Sequence, residues 1–150
     1  GGGGLVAGSA IALTAAFPDL AVYTAEPEGF DDTKRSLERG ERVAVNPGAR
    51  SICDALLAPL PGEITFAINR QRLAGGLAVS DAEVAHAMRV AFEQLKLVVE
   101  PGGAVALAAV LTGKLEVRGR IVLVVLSGGN VDLAAFHRLT ADAAPLAPAA

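Results

Sequence analysis

Four consecutive glycines open the chain and form its clearest candidate binding site. Residues 1–4 precede Leu5 and a long apolar segment that is typical of a buried helix. A backbone without side chains adopts conformations that other residues avoid, and it approaches a ligand closely. The unpaired N–H groups and the positive dipole end of the following helix then face this loop. The arrangement predicts a phosphate site, although a flexible linker or a cloning remnant also produces such a run.

Helices and strands alternate behind this loop. Alanine-rich segments, a Ser-Asp-Ala-Glu capping box and a Pro-Gly-Gly start are the main helix signals. Gly40 is expected to end the second helix, and Gly75 and Gly76 are expected to end the third. The predicted helices cover residues 5–17, 31–39, 64–73, the segment from the capping box at 80–83 to Leu95, and 101–111.

The predicted strands cover residues 20–25, 77–79 and 121–126. The last of these is an unbroken run of β-branched residues and leucine, which is typical of a strand buried on both faces of a parallel sheet. It stops at Ser127-Gly128-Gly129-Asn130. Glycine-rich turns thus follow several elements, at the positions where open parallel sheets bind ligands. The sequence predicts an α/β fold with an open, mostly parallel sheet and helices on both faces.

Length and composition exclude several classes of protein. The chain has 150 residues, of which 52% are hydrophobic, enough for one compact core. The net charge of −3 is dispersed, so we expect neither nucleic acid nor a membrane as partner. The single cysteine, Cys53, excludes an internal disulfide and suits the cytoplasm. We predict one domain over residues 1–140 and a disordered alanine- and proline-rich tail over 141–150.

Five ordered segments resemble the family of pyridoxal-phosphate-dependent threonine/serine dehydratases and serine racemases. They are GGGGL at 1–5, EP at 26–27 with DD at 31–32, SICDAL at 51–56, VVEPGGA at 98–104, and LSGGNV at 126–131. The resemblance implies a tryptophan-synthase-β-like fold. Because the glycine loop lies near the middle of the family's chains, it also implies that this chain is the C-terminal half of such a protein.

The resemblance implies pyridoxal 5′-phosphate as cofactor. Ser127 would hydrogen-bond the pyridine nitrogen, with Gly128 beside it and Glu100 near the ring. A hydroxyl is too weak an acid to give up its proton to the ring, which suits β-elimination. From the residues alone, Ser127 also fits a tight strand-to-helix turn, and Glu100 also fits a helix N-terminus. Backbone N–H groups for the cofactor phosphate would come from Gly1, Gly2, Gly3, Gly4 and Leu5.

A divalent-cation site at Glu26, Phe30 and Asp32 is also implied by the resemblance. Its ligands would be the two carboxylates, the backbone carbonyl of Phe30 and water. Oxygen ligands of this kind suit Mg²⁺, Mn²⁺ or Ca²⁺, and we expect a structural ion away from the chemistry. The alternative is that Glu28, Asp31 and Asp32 complement the dipole of the following helix.

The Schiff-base lysine of the family has no counterpart in this sequence, and neither has the loop that binds the substrate carboxylate. Lys34 and Lys96 are expected on solvent-facing helix positions, and Lys114 follows a helix-ending glycine. An exposed lysine lacks the lowered pKa that the reaction needs. The two histidines are expected at surface or edge positions, and Cys53 is expected to pack in the core.

The resemblance implies that the parent protein deaminates L-threonine or L-serine to 2-oxobutanoate or pyruvate and ammonia. The missing lysine and initiator methionine suggest that these residues continue a longer polypeptide, so we expect the chain alone to be inactive. A serine or hydroxyaspartate racemase of the same family stays open, as does an inactive half-domain that binds phosphate or pyridoxal phosphate. The expected partners are a small hydroxy amino acid, the N-terminal half of the polypeptide and a second copy in a homodimer.

Overall fold

A computed structural model describes residues 1–141 and residue 143, and there it contains six α-helices and two strands. Helical turns at Asp54–Leu56 and Ala91–Leu95 complete the regular structure. No helix in the described part of the chain has the length and apolarity needed to cross a membrane. The elements are α1 (Gly4–Ala16), β1 (Val22–Pro27), α2 (Asp32–Arg39), α3 (Glu63–Arg72), β2 (Leu73–Val79), α4 (Asp81–Val90), α5 (Pro101–Leu111) and α6 (Leu133–Thr140).

β1 and β2 pair in parallel, which confirms the predicted α/β class with parallel strands. Val22 lies opposite Leu73 and Pro27 lies opposite Val79, with a register shift directly after Val22. The prediction that Gly75 and Gly76 end α3 is wrong, because both lie inside β2. A β-carbon added at Gly76 would lie 2.6 Å from the β-carbon of a residue in α2, Lys34. The glycine is therefore required for close packing of α2 on β2 and does not form a turn.

The main core lies between α4, α5 and the end of β2. The apolar residues of α4 predicted from its periodicity, Val84 and Met88, are fully buried. Phe92 and Leu95, predicted on the same face, are about half exposed because the helix changes to a π-helical turn after Val90. The buried members of this core are Cys53, Val79, Val84, Ala87, Met88, Ala91, Val99, Ala104, Val105, Ala108 and Ala109.

The predicted strand at residues 121–126 is not observed. These residues belong to no strand, and Ile121 and Leu123 are largely exposed. A strand needs a neighbouring backbone for its hydrogen bonds, and no described segment provides one here. The composition of the run suits burial, but nothing in the described residues covers Ile121 or Leu123.

The predicted tail falls mostly outside the described residues, since Asp142 and residues 144–150 are not described. The last helix among the described residues, α6, ends at Thr140, where the domain is predicted to end. The domain boundary itself stays a prediction.

The capping box at the start of α4 is confirmed. Ser80 Oγ accepts from the N–H of Glu83 at 3.2 Å, and Glu83 Oε2 accepts from the N–H of Ser80 at 2.7 Å. Burial raises the pKa of Glu83, but the Ser80 N–H and the Lys114 ammonium, 3.0 Å from Oε1, outweigh burial and hold this pKa below its ordinary value. A depressed pKa means that the carboxylate's stabilising contribution is present above the unfolded-state pKa and is lost as the pH falls through the folded-state value.

We expect Glu83→Gln to lower the free energy of unfolding at pH 7 by about 1 kcal/mol, because it removes the charge that strengthens the hydrogen bond from Ser80 N–H and pairs with Lys114. It is also expected to flatten the loss of stability as the pH falls through the folded-state pKa of Glu83. Urea unfolding at several pH values measures both effects. The matched control is Glu93→Gln, which breaks a half-exposed ion pair with Arg89 and should cost only a few tenths of 1 kcal/mol. Equal losses at pH 7 in the two variants would contradict this account.

Candidate functional site

The glycine loop leads directly into α1, as the sequence predicts. Gly3 is the N-cap residue and has φ of +87°, a conformation that favours glycine. The N–H of Ala7 donates to Gly3 O at 3.0 Å and starts the helical ladder. The N–H groups of the first helical turn consequently have no acceptor within the helix. They are available to an anion placed at the loop.

The two sides of this loop differ. On one side α3 contacts it, because the hydroxyl of Thr65 donates to Gly2 O at 2.5 Å and the N–H of Gly62 donates to the same oxygen at 3.2 Å. Elsewhere the loop has free space, since a β-carbon added at Gly2 or Gly4 would meet no atom within 4 Å. The contact from Thr65 was not predicted from the sequence, because no local pattern links residues 63 positions apart.

Glu100 and the turn at 127–130 lie against each other. The N–H of Glu100 donates to Gly128 O at 3.0 Å, and the N–H of Asn130 donates to Glu100 Oε2 at 3.0 Å. Gly128 packs so tightly here that a β-carbon on it would lie 2.6 Å from Glu100 Oε1. Ser127 is exposed at the start of the turn. The structure therefore brings together the three residues that the resemblance placed around a cofactor ring.

The helical turn at Asp54–Leu56 lies between the glycine loop and this second cluster. A β-carbon added at Gly1 would lie 3.4 Å from Ala55 O, and one added at Gly102 would lie 3.3 Å from Leu56 Cγ. The structure thus packs residues 1–4, 54–56, 100–103 and 127–130 into one continuous cluster, in which Pro101, Gly102 and Gly103 are buried. The SICDAL segment contributes to it through backbone and apolar contacts.

Glu26 and Asp32 are both buried at the end of β1, at 2% and 1% exposure. Glu26 Oε1 accepts from the N–H of Thr33 at 3.1 Å and Oε2 accepts from the N–H of Lys34 at 2.8 Å, so this carboxylate holds the start of α2. Asp32 Oδ2 is buried with no hydrogen-bond partner among the described residues. Burial raises the pKa of both groups, and the nearby Asp32 charge raises the pKa of Glu26 further.

The third predicted metal ligand, Phe30, is buried beside this pair, and its N–H donates to Pro27 O at 3.0 Å. Within residues 1–141, no group of three His, Cys, Asp or Glu side chains is arranged to hold a metal ion. A cation here would therefore need the Phe30 carbonyl and water in addition to the two carboxylates. The orphaned Asp32 Oδ2 fits such a ligand.

The ammonium groups of the lysines have partners outside these clusters. Lys34 Nζ pairs with Glu38 at 2.7 Å, Lys96 Nζ donates to a backbone carbonyl, and Lys114 pairs with an acidic residue of α4. Cys53 is fully buried, and burial raises its pKa to about 11, which agrees with the expected packing role. His137 is exposed as expected, whereas His86 is half-buried and its Nδ1 has no partner among the described residues.

Comparison with known proteins matches most of this chain to one family. A family model described as pyridoxal-phosphate dependent enzyme matches residues 1–128. The chain is 38% identical to the serine racemase of Dictyostelium discoideum and 39% identical to an L-threo-3-hydroxyaspartate ammonia-lyase of Pseudomonas sp. Each alignment covers 93% of this chain but only 44% and 43% of the respective relative. The crystal structure of the threonine deaminase of T.th. superposes with a TM-score of 0.82 at 43% identity, over 89% of this chain and 44% of that one.

We expect Gly103→Ala to lower the free energy of unfolding by about 1–3 kcal/mol through overpacking. The reason is that a β-carbon at this position of α5 would lie 2.5 Å from Gly128 O, in the middle of the Glu100 cluster. The matched control is Gly8→Ala in α1, where a β-carbon meets no atom within 4 Å and alanine should stabilise the helix by about 0.5–1 kcal/mol. Chemical unfolding of both variants measures the difference. A stabilised Gly103→Ala protein would show that the turn does not pack as described.

Proposed function

Since this chain belongs to the family of pyridoxal-phosphate dependent enzymes, we propose that it binds pyridoxal 5′-phosphate within an ammonia-lyase for L-threonine or L-serine. The chain spans less than half the length of the relatives it matches, so this activity is proposed for the whole protein. The likeness to the solved threonine deaminase confirms the predicted tryptophan-synthase-β-like fold.

The glycine loop is the observation that carries this proposal. It precedes α1, presents unpaired backbone N–H groups and has free space at Gly2 and Gly4. Gly1, Gly2, Gly3, Gly4 and Leu5 would hold the cofactor phosphate with these groups, helped by the positive end of the helix dipole.

Ser127 and Glu100 would serve the ring side of the site. When bound, pyridoxal phosphate supplies an electron-withdrawing ring that weakens the bonds at the substrate's α-carbon. Ser127 would donate a hydrogen bond to the ring nitrogen without transferring its proton. Glu100 would act mainly by holding the turn, because its carboxylate accepts from the N–H of Asn130 and packs on Gly128. A weakly polarised ring favours elimination of a β-hydroxyl, because the electron pair left at the α-carbon forms a double bond to the β-carbon while the hydroxyl leaves with the C–O bonding pair.

The remainder of the reaction needs residues beyond this chain. The ammonium groups of all three lysines are engaged outside the clusters, so the Schiff-base lysine would come from an N-terminal half of the same polypeptide. The exposed apolar residues at 121–126 support a covering partner of this kind. The chain alone would then be inactive. A homodimer and a cytoplasmic location stay predictions from the sequence.

The proposed activity is tested on the full-length gene product saturated with pyridoxal phosphate. We expect L-threonine and L-serine to give a 2-oxo acid and ammonia in equal amounts. Ser127→Ala should slow the reaction about tenfold, the effect of losing one hydrogen bond of about 1–1.5 kcal/mol. Cofactor content per chain is measured in parallel, so that slower reaction is distinguished from weaker cofactor binding.

Product analysis separates the alternatives. Accumulation of D-serine without 2-oxo acid would favour a racemase, the second candidate, which the likeness to the Dictyostelium discoideum serine racemase supports. Cofactor binding without turnover of either amino acid would instead indicate a binding module and would contradict the lyase assignment.

We also propose a divalent cation at Glu26, Phe30 and Asp32. Two buried carboxylates with raised pKa values, one with an orphaned oxygen, form a site of negative charge that Mg²⁺, Mn²⁺ or Ca²⁺ would neutralise. Because Glu26 also holds the start of α2, the ion would stabilise the fold and not take part in the chemistry.

We expect chelator-treated protein to gain about 2.7 kcal/mol of stability when one of these cations is added at about 100 times its dissociation constant. Asp32→Asn should abolish the gain, because it removes the anionic oxygen. The matched control is Asp31→Asn, whose carboxylate pairs with Arg35 at 3.0 Å and lies outside the proposed ligand set. Thermal unfolding with and without the cation measures each case. An equal gain in the Asp32→Asn protein would place the cation elsewhere.

A further inference from the structure

Residues of α3 and its N-cap residue donate hydrogen bonds to carbonyl oxygens of the glycine loop. The hydroxyl of Thr65 and the N–H of Gly62 both donate to Gly2 O, at 2.5 and 3.2 Å. One turn further along α3, Asn69 Nδ2 contacts Gly3 O at 3.5 Å. Both side chains belong to the same helix face, four positions apart. Two successive carbonyls of the loop are thus fixed from one side.

Fixing these carbonyls also fixes the direction of the N–H groups. In a trans peptide the C=O and the following N–H point in opposite directions. Anchoring the Gly2 carbonyl on α3 therefore turns the N–H of Gly3 away from α3, and anchoring the Gly3 carbonyl does the same for the N–H of Gly4. Both N–H groups then point away from the α3 contacts, and the loop is open at Gly2 and Gly4.

The side chain of Asn69 is poorly explained by packing alone. It is 1% exposed, and its Oδ1 is buried without a hydrogen-bond partner in the described structure. A buried unsatisfied amide oxygen costs stability, and a leucine of similar size would avoid that cost. The contact that its amide does make is with the glycine loop, where Nδ2 would lie 2.8 Å from a β-carbon on Gly3.

We propose that Thr65 and Asn69 are positioning residues for phosphate binding. They hold the carbonyls of Gly2 and Gly3 so that the adjoining N–H groups face a phosphate dianion at the start of α1. This inference rests on the proposed function, because it takes the phosphate of pyridoxal phosphate as the ligand of the loop.

The test compares two probes that differ only in the phosphate, pyridoxal 5′-phosphate and pyridoxal, on the full-length apoprotein. For Thr65→Val and for Asn69→Leu we expect the dissociation constant of pyridoxal 5′-phosphate to rise about tenfold, the effect of one lost hydrogen bond. The dissociation constant of pyridoxal should change by less than about twofold. Asn69→Leu should keep or raise the midpoint of thermal unfolding, whereas a merely structural asparagine would lower it.

Two control variants complete the design. Thr65→Ser retains the hydroxyl and should bind both probes as the unaltered protein does. Thr112→Val removes a hydroxyl that donates to a carbonyl of α5, Ala108 O, at 2.8 Å, and it should leave both dissociation constants unchanged. If Thr65→Val does not fold, Asn69→Leu independently tests whether α3 positions the carbonyl groups of the loop.

The possible failures are distinguishable. If the unaltered protein binds pyridoxal as tightly as pyridoxal 5′-phosphate, the phosphate site itself is wrong and the proposed function fails. If the unaltered protein prefers the phosphate form but the variants keep that preference, or lose affinity equally for both probes, the positioning role of Thr65 and Asn69 is overturned.

Discussion

The parallel pairing of β1 with β2 places the carboxyl ends of both strands at one edge of the sheet. Pro27 lies opposite Val79 at this edge, and the N–H of Glu28 extends the pairing by donating to Val79 O at 2.7 Å. The neighbours of this last pair, Glu26 and Ser80, hold the starts of α2 and α4 through backbone N–H groups. A slip of one residue would turn Glu26 to the opposite face of the sheet. Strand register and the starts of two helices are therefore one structural unit.

This unit contains two buried carboxylates, Glu26 and Asp32, and burying their charges costs free energy. A buried carboxylate is tolerated when its oxygens are hydrogen-bonded, and Glu26 meets that condition with two backbone N–H groups. Asp32 meets it only in part, and the two charges oppose each other. The same corner thus holds the register of the fold and two buried carboxylates that repel each other. A stabilising ion, if bound here, would act on α2 and on the sheet edge together.

The sequence predicted those features of the fold and of the candidate site that are determined by contacts between residues close in the chain. Gly40, the capping box and the Pro-Gly-Gly start of α5 are local signals, and the helices they mark begin or end within a residue of the prediction. Gly76 misled the prediction because its role, contact with Lys34 of α2, is set by tertiary packing. The hydrogen bond from Thr65 to the glycine loop joins residues 63 positions apart, so no local pattern in the sequence could predict it. The grouping of Glu100 with the 127–130 turn came from the family resemblance and not from spacing.

The apolar run at 121–126 is mostly exposed, although the turn that follows it is held in place. Full burial of a large aliphatic side chain is worth about 1.5–3 kcal/mol, yet Ile121 and Leu123 remain exposed. The turn that follows this run does not depend on its burial, because Glu100 holds the turn from α5 through Gly128 and Asn130. On the proposed function, the ring side of the cofactor site is therefore preorganised by this chain alone. Covering the exposed run would then add stability and bring in the reactive lysine, without having to rebuild the surface that receives the ring.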